Sequence, residues 1–176
     1  MQKNLFIIIL LFCFPLVSFA ADSKFYFSPN GGCQEAVIRE ISKAQKTIDI
    51  AMYSFTSREI AQALVEAKGR KLNIRIVFDK GQEKETYSKG MYLLKYGFDV
   101  RYDTGLGLMH NKFAIIDDKV LITGSFNWTA SAEERNEENL LILTDQAVIK
   151  AYKKRFEYLF GKARKGKLDG VSFGRK

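Results

Sequence analysis

Histidine and cysteine are scarce in this chain of 176 residues, which contains one histidine and two cysteines. A single imidazole, that of His110, means that a site requiring two must take the second from another chain. Cys13 lies in the apolar amino-terminal segment, so a chain without that segment keeps Cys33 alone and forms no intrachain disulfide. We interpret Cys33 as a small residue near a helix start, because no cation or histidine stands beside it to activate the thiol.

The sequence also lacks internal repeats, low-complexity stretches and any linker between two halves. Its length suits one domain with a core of its own. We therefore divide the chain into a leader (residues 1–20), a single domain (residues 21–160) and a carboxy-terminal tail (residues 161–176).

Residues 1–20 have the pattern of a secretory signal. Lys3 gives a positive start, residues 5–16 are continuously apolar, and Ser18 and Ala20 occupy the positions that a signal peptidase recognises. The apolar run is shorter than the about 20 residues of a membrane-spanning helix, and it contains Pro15 near its end. We predict cleavage after Ala20 and a periplasmic or secreted protein, with an uncleaved anchor as the alternative.

Positive charge exceeds negative charge, giving a formal net charge of +8, of which the leader contributes only Lys3. This balance predicts attraction to polyanions, either nucleic acid or an anionic lipid surface, without deciding between them. Among the charged residues of the segment 161–176, Asp169 is acidic and all the others are basic. A solvated, frayed terminus is the simpler interpretation of this tail, and loose contact with phosphates is compatible with it.

Segments with strand and helix patterns alternate along the domain. The helical pattern covers residues 33–44, the stretch after the capping-box sequence Thr56-Ser57-Arg58-Glu59, and residues 86–95. The strand pattern covers residues 24–28, 47–53, 72–78, 98–102, 112–116, 120–123 and 139–143. This alternation predicts an α/β fold, a layered α-β-α sandwich with a mixed sheet flanked by helices.

The two strands at residues 112–116 and 120–123 predict a hairpin, because Asp117-Asp118-Lys119 between them is a turn sequence. His110 and Lys112 are two residues apart, so on an extended chain they project to the same side, roughly 7 Å apart, and form a pocket for an anion.

Ser125 and Asn127 repeat this spacing after the return strand, if the chain stays extended there. Gly124 has no side chain, so we expect that a ligand can approach the backbone closely at that point.

The order His-x-Lys, four residues, Asp, six residues, Gly-Ser-x-Asn from His110 to Asn127 resembles the signature of the phospholipase D superfamily. The single motif copy, the leader, the short chain and the segment Tyr53-Ser54-Phe55-Thr56 are similar to the small bacterial nucleases of that superfamily. The resemblance implies a phospholipase D/nuclease-like fold and a homodimer that cuts DNA with little sequence preference. It also implies that neither a divalent metal nor another cofactor is needed.

The resemblance further implies roles for the motif residues. Neutral His110 attacks phosphorus and forms a phosphohistidine, while His110 of the second chain, protonated, gives its proton to the leaving alcohol. Lys112, Ser125 and Asn127 bind the phosphate and stabilise the charge of the transition state. An acidic residue further on contacts the histidine and fixes the attacking nitrogen.

For this acidic residue, Glu138 matches best by spacing, and Glu137 is its competitor. We interpret Asp117 as a structural residue, because it falls at the predicted turn. Phe126 is interpreted as a core residue, whereas Trp128 is left open between the core and stacking on bases.

We therefore expect a metal-independent phosphodiesterase, foremost a nonspecific endonuclease acting on DNA or also on RNA. A phospholipase D acting on anionic phospholipid is the first alternative, although the short chain leaves little room for lipid-binding insertions. A noncatalytic nucleic-acid-binding module is the second, and His110 argues against it because binding alone requires no imidazole. Tyr53-Ser54-Phe55 at a strand end is a weak indication of a ligand site, and Lys80 to Lys84 is a charged turn by default.

Overall fold

The computed structural model describes residues 22–168, so the predicted leader lies outside the described residues. The strands are β1 (Ser23–Ser28), β2 (Thr47–Met52), β3 (Asn73–Phe78), β4 (Asp99–Tyr102), β5 (Lys112–Ile116), β6 (Val120–Gly124), β7 (Glu138–Leu143) and β8 (Arg164–Lys165). The helices are α1 (Cys33–Lys43), α2 (Arg58–Gly69), α3 (Gly90–Lys95), α4 (Ala130–Glu134) and α5 (Gln146–Lys162), with a short 3-10 helix at Lys80–Glu83. Within this part of the chain, no helix combines the length and the apolar character needed to cross a bilayer.

The strands form one mixed sheet in the order β1-β7-β6-β5-β2-β3-β4-β8. Side chains alternate between its faces, so Ala114 and Ile116 of β5 join the hydrophobic cluster under α1 and α2, whereas Phe113 and Ile115 join the cluster under α5. Helices thus cover both faces of the sheet. The predicted layered α-β-α sandwich is confirmed.

The strand directions bring distant parts of the sequence to one edge of the sheet. β2 and β3 are parallel, β2 and β5 are antiparallel, and β5, β6 and β7 follow one another antiparallel. The carboxyl ends of β2, β3 and β6 therefore lie beside the amino ends of β5 and β7. We call this the motif edge, because the motif residues other than Asp117 lie along it.

Two predicted helix starts are wrong in position. Ser57 and not Thr56 caps α2, since its hydroxyl accepts a hydrogen bond from the Ile60 backbone N–H at 3.2 Å. The helix predicted for residues 86–95 begins only at Gly90. The preceding residues are used in turns, and the charged turn predicted from Lys80 is largely a 3-10 helix capped by Asp79.

The carboxy-terminal boundary predicted after residue 160 falls inside α5, which continues to Lys162. β8 then pairs with β4, and Arg164 forms an ion pair with Glu83 at 2.6 Å. The first part of the basic segment therefore belongs to the folded domain. Residues 169–176 lie outside the described residues.

Cys33, at the start of α1, is fully buried. Burial, together with the negative charges of Glu133 and Glu35, raises the pKa of its thiol to about 11. A thiol that stays protonated at neutral pH is a poor nucleophile, which agrees with the interpretation of Cys33 as a packing residue.

Asp117 lies at the turn between β5 and β6 with a positive φ of 54°. Its carboxylate accepts hydrogen bonds from the backbone N–H groups of Gln45, Lys46 and Thr47 at 2.8, 2.7 and 2.9 Å. Burial acts to raise the pKa of this carboxyl, but these backbone hydrogen bonds together outweigh it and the pKa is lowered. Asp117 thereby ties the hairpin turn to the start of β2.

Replacing Asp117 by Ala should lower the free energy of unfolding by about 1 to 3 kcal/mol, because three backbone N–H groups lose a charged acceptor. The matched variant Asp117→Asn tolerates the positive φ and keeps one acceptor oxygen, so its loss should be smaller. Folding lowers the pKa of the Asp117 carboxyl, so the carboxylate stabilises the protein at pH values above its unfolded-state pKa of about 3.9. This contribution is lost as the pH falls through the folded-state pKa. Urea unfolding from pH 7 to pH 3 measures both effects, and equal midpoints for all three proteins would contradict them.

Candidate active site

The motif edge brings together all the predicted site residues except Asp117. His110 precedes β5, which begins with Lys112; Gly124 ends β6, and Glu138 begins β7. Ser125 and Asn127 follow β6 directly. Asp117 lies beyond the other end of β5 and does not reach this edge.

His110, Lys112 and Tyr53 form one cluster. The Lys112 Nζ atom lies 3.2 Å from His110 Nδ1 and 3.0 Å from the His110 carbonyl oxygen. The Tyr53 ring centroid is 4.3 Å from that of His110, and the Lys112 ammonium lies 4.8 Å from the Tyr53 centroid. The imidazole itself is exposed at the surface. A substrate can therefore reach this imidazole, and Tyr53 and Lys112 set the packing and the charge around it.

Burial lowers the pKa of Lys112, and the negative charge of Glu138 opposes this change. A cation that has lost part of its hydration interacts more strongly with an anion than a fully solvated lysine does. Lys112 is thus suited to hold a phosphate oxygen beside His110.

Glu138 is half-buried at the motif edge, whereas the competing Glu137 is exposed. The Glu138 carboxylate accepts hydrogen bonds from the Ser125 hydroxyl and, at 3.1 Å, from the Asn136 side chain. Among the described residues, no hydrogen bond joins Glu138 to His110. The expected contact between the acidic residue and the histidine is therefore not made within the described chain.

Ser125 is held by Asn139 as well as by Glu138. Its hydroxyl oxygen accepts hydrogen bonds from the Asn139 backbone N–H at 3.1 Å and from the Asn139 side-chain amide at 3.3 Å. This network fixes the Ser125 oxygen at the edge.

Asn127 carries a buried Oδ1 atom without a hydrogen-bond partner among the described residues. An unsatisfied buried polar atom is costly, so it marks a place where a ligand or a second chain can supply a donor.

Gly124 has a positive φ of 146°, and a Cβ atom there would lie 2.2 Å from the Asn139 carbonyl oxygen. The structure gives Gly124 a structural reason, and the approach of a ligand at this point stays a prediction. Glycine is required because the backbone of β7 approaches too closely for any side chain.

Trp128, which the sequence leaves open, is a core residue like Phe126, and each is 1% exposed. The Trp128 ring meets Phe55 edge-on with centroids 5.0 Å apart, and its carbonyl oxygen accepts from the backbone N–H groups of Thr56 and Ser57. It anchors the segment after β6 to the segment after β2 and is not available for base stacking.

Asp79 is a site residue that the sequence analysis does not single out. Its buried carboxylate accepts a hydrogen bond from the Met109 backbone N–H at 2.8 Å and another from the Gly81 N–H at 2.8 Å. It therefore fixes the chain immediately before His110. Its position directly after a parallel strand is the signal that could have indicated it.

Among residues 22–168, no group of three or more His, Cys, Asp or Glu side chains is arranged to hold a metal ion.

A mixed sheet between helices, with a His-x-Lys pair at its edge, defines a phospholipase D-like domain. The family model for the cardiolipin synthase, phospholipase D-like domain matches residues 37–160, and the chain belongs to the phospholipase D superfamily.

Two solved structures of small proteins resemble almost the whole described domain. The phospholipase D family member Nuc from Salmonella typhimurium has 29% sequence identity and a TM-score of 0.79, covering 84% of this chain and 99% of Nuc. NucT from Helicobacter pylori has 30% identity and a TM-score of 0.79, covering 83% of this chain and 99% of NucT.

The curated relatives are longer than the segments of them that match this chain. A phospholipase D of Rickettsia prowazekii is 38% identical over 126 residues, which are 72% of this chain and 62% of that protein. The mitochondrial cardiolipin hydrolase of Xenopus laevis is 38% identical over 117 residues, which are 66% of this chain and 56% of that protein. The chain thus spans less than two thirds of the length of these relatives.

Proposed function

We propose that this protein is a metal-independent phosphodiesterase that acts as an endonuclease on DNA, and also on RNA, in a site shared by two copies of the chain. The observation that carries the proposal is the exposed His110 imidazole with the Lys112 ammonium 3.2 Å away on an edge that also holds Ser125, Asn127 and Glu138. Nucleophile, cation and polar hydrogen-bonding groups lie together there, as displacement at phosphorus requires.

The reaction needs two imidazoles. One attacks phosphorus and forms a P–N bond while the P–O bond to the leaving alcohol breaks, and the other protonates that alcohol. The second then takes a proton from the water that displaces the histidine. One chain has one histidine, so a second copy must bring the other. The missing bond between Glu138 and its own His110 supports this arrangement, because it leaves Glu138 to orient the His110 of a second copy.

Nucleic acid is favoured as substrate by two observations. This chain matches the similar solved structures, Nuc and NucT, over 99% of their length, whereas it matches the phospholipase D and the cardiolipin hydrolase over 62% and 56% of theirs. The sequence also resembles the small bacterial nucleases of the superfamily in its single motif and leader.

Phospholipid is the second candidate substrate. The observation that favours it is the 38% identity to relatives named phospholipase D and mitochondrial cardiolipin hydrolase.

Cleavage after Ala20 and a location in the periplasm or outside the cell remain part of the proposal, and they rest on the pattern of residues 1–20.

A substrate panel tests the proposal. Duplex DNA, single-stranded DNA, RNA and anionic phospholipid vesicles are each incubated with the purified protein in excess EDTA across a salt series. We expect cleavage of nucleic acid, with a rate that falls steeply as salt rises because phosphate contacts release counterions. Phospholipid turnover with intact DNA would favour the second candidate. Loss of all activity in EDTA and its return with a divalent ion would contradict the metal-free mechanism.

Tyr53 should act as a positioning residue. Replacing it by Leu removes the ring that packs on His110 and lies under the Lys112 ammonium, so we expect kcat to fall about 10- to 100-fold with little change in KM. Tyr53→Phe keeps the ring and should stay close to wild type. Tyr158→Leu, at an exposed position on α5, is the control, and an equal loss in all three variants would contradict the positioning role.

A further inference from the structure

A cleft of about 430 Å³ opens beside the cluster of His110, Lys112 and Tyr53. Two of its lining residues belong to that cluster or support it, because Tyr53 packs on His110 and Asp79 holds the Met109 N–H. Gln82, Glu85 and Tyr87 also line it. A substituent on a phosphate held by His110 and Lys112 would therefore enter this cleft.

The charge of the cleft is opposite to that of the protein as a whole. Its lining contains two carboxylates, Asp79 and Glu85, and neither lysine nor arginine. Both Asp79 oxygens already accept backbone hydrogen bonds, whereas the Glu85 carboxylate has no ion pair or hydrogen bond among the described residues. A second phosphate would be repelled here, so the cleft fits an uncharged or cationic group with hydrogen-bond donors.

The polar groups of the cleft can bind both the hydrogen-bond donors and the hydrogen-bond acceptors of a planar ring. Gln82 Oε1 accepts from the Phe55 backbone N–H at 3.2 Å, which fixes the amide and leaves its nitrogen to donate. Glu85 offers acceptor oxygens only.

One aromatic ring in the cleft is free for stacking. Tyr53 is already in contact with His110 and Lys112, whereas the Tyr87 side chain is 74% exposed. A single free ring supports stacking of a planar group, while recognition of a quaternary ammonium group uses several aromatic faces around the cation.

We propose that this cleft binds the nucleobase of the nucleotide next to the scissile phosphate, which stacks on Tyr87 and forms hydrogen bonds with Gln82 and Glu85. The inference rests on the proposed nuclease function and adds a base subsite to it. Glu85 accepts from exocyclic amino groups, so cytosine and adenine bind better than thymine.

Two oligonucleotides of equal length test the subsite, one with bases throughout and one made of abasic sugars. The wild-type protein should cut the first with a kcat/KM about tenfold higher, as expected for one stacked base. In Tyr87→Ala this ratio should fall to near one, whereas Tyr87→Phe should keep it. Tyr158→Ala, which removes an exposed tyrosine far along the chain on α5, is the matched control.

Glu85 is tested by base preference. Wild type should cut oligo(dC) several-fold faster than oligo(dT), and Glu85→Gln should bring the two rates together.

The outcomes separate the subsite from the nuclease proposal. If wild type cuts DNA but Tyr87→Ala leaves the ratio of base-containing to abasic substrate unchanged, the base subsite is wrong and the nuclease function stands. If wild type cuts no nucleic acid but hydrolyses phosphatidylethanolamine, and Tyr87→Ala slows that reaction, the cleft binds an amino-alcohol head group and both proposals fail.

Discussion

Replacing His110 by Ala or Asn is expected to lower the rate of plasmid cleavage in excess EDTA by about 10⁴-fold or more, the scale of loss seen when a covalent nucleophile is removed. The chain has no second histidine that could substitute for it. The fold should survive, because the imidazole is exposed and the neighbouring Asn111 still accepts the Tyr53 backbone hydrogen bond through its carbonyl.

Initial rates on supercoiled plasmid, with circular dichroism and size-exclusion chromatography of each variant, measure this effect. The matched control is Asn111→Ser at the adjacent position, whose amide donates only to the Met109 sulfur among the described contacts. Near-normal turnover by the folded His110 variants would remove this residue from catalysis. Equal loss in Asn111→Ser would show a general disturbance of the segment.

Local sequence patterns were sufficient for the hairpin that carries the site. β5 has the predicted bounds, Lys112–Ile116, and β6 extends the prediction by the single residue Gly124. The hairpin depends on alternating apolar residues and on a turn at Asp117 and Asp118, and each signal lies within a few positions of the sequence. The two aspartates adopt the positive φ that the turn demands. The choice of Glu138 over Glu137 as the inward-facing residue follows from the same two-residue period.

Contacts between distant strands could not be read from such patterns. Tyr53 meets His110 because β2 pairs with β5 in a register that sets Met52 opposite Lys112, and this register depends on the whole sheet. The reason for Gly124 was missed for the same cause, since the atom that excludes a side chain belongs to Asn139.

The carboxy-terminal elements show a second limit of sequence patterns. Charge dominates the composition after residue 160, which suggested a frayed tail. A short strand such as β8 has no periodicity of its own and forms because β4 offers an unpaired edge. The sequence does not predict the cleft beside His110. Its lining comes from short loops and one 3-10 turn, and residue propensities do not determine the shape of such segments.

Mixed dimers should show directly whether two chains share one site. Wild type and His110→Ala, each with a different tag, are unfolded together and refolded in equal amounts, which yields roughly one quarter wild-type dimers, half mixed dimers and one quarter variant dimers. If each dimer needs both imidazoles, the mixture keeps about a quarter of the activity of an all-wild-type sample, and mixed dimers isolated through both tags are inactive. If each chain works alone, about half of the activity remains and the isolated mixed dimers cut DNA at half the wild-type rate. A fully active monomer in sedimentation at the assay concentration would likewise refute the shared site, because a chain with one imidazole would then be performing both the attack on phosphorus and the protonation of the leaving alcohol.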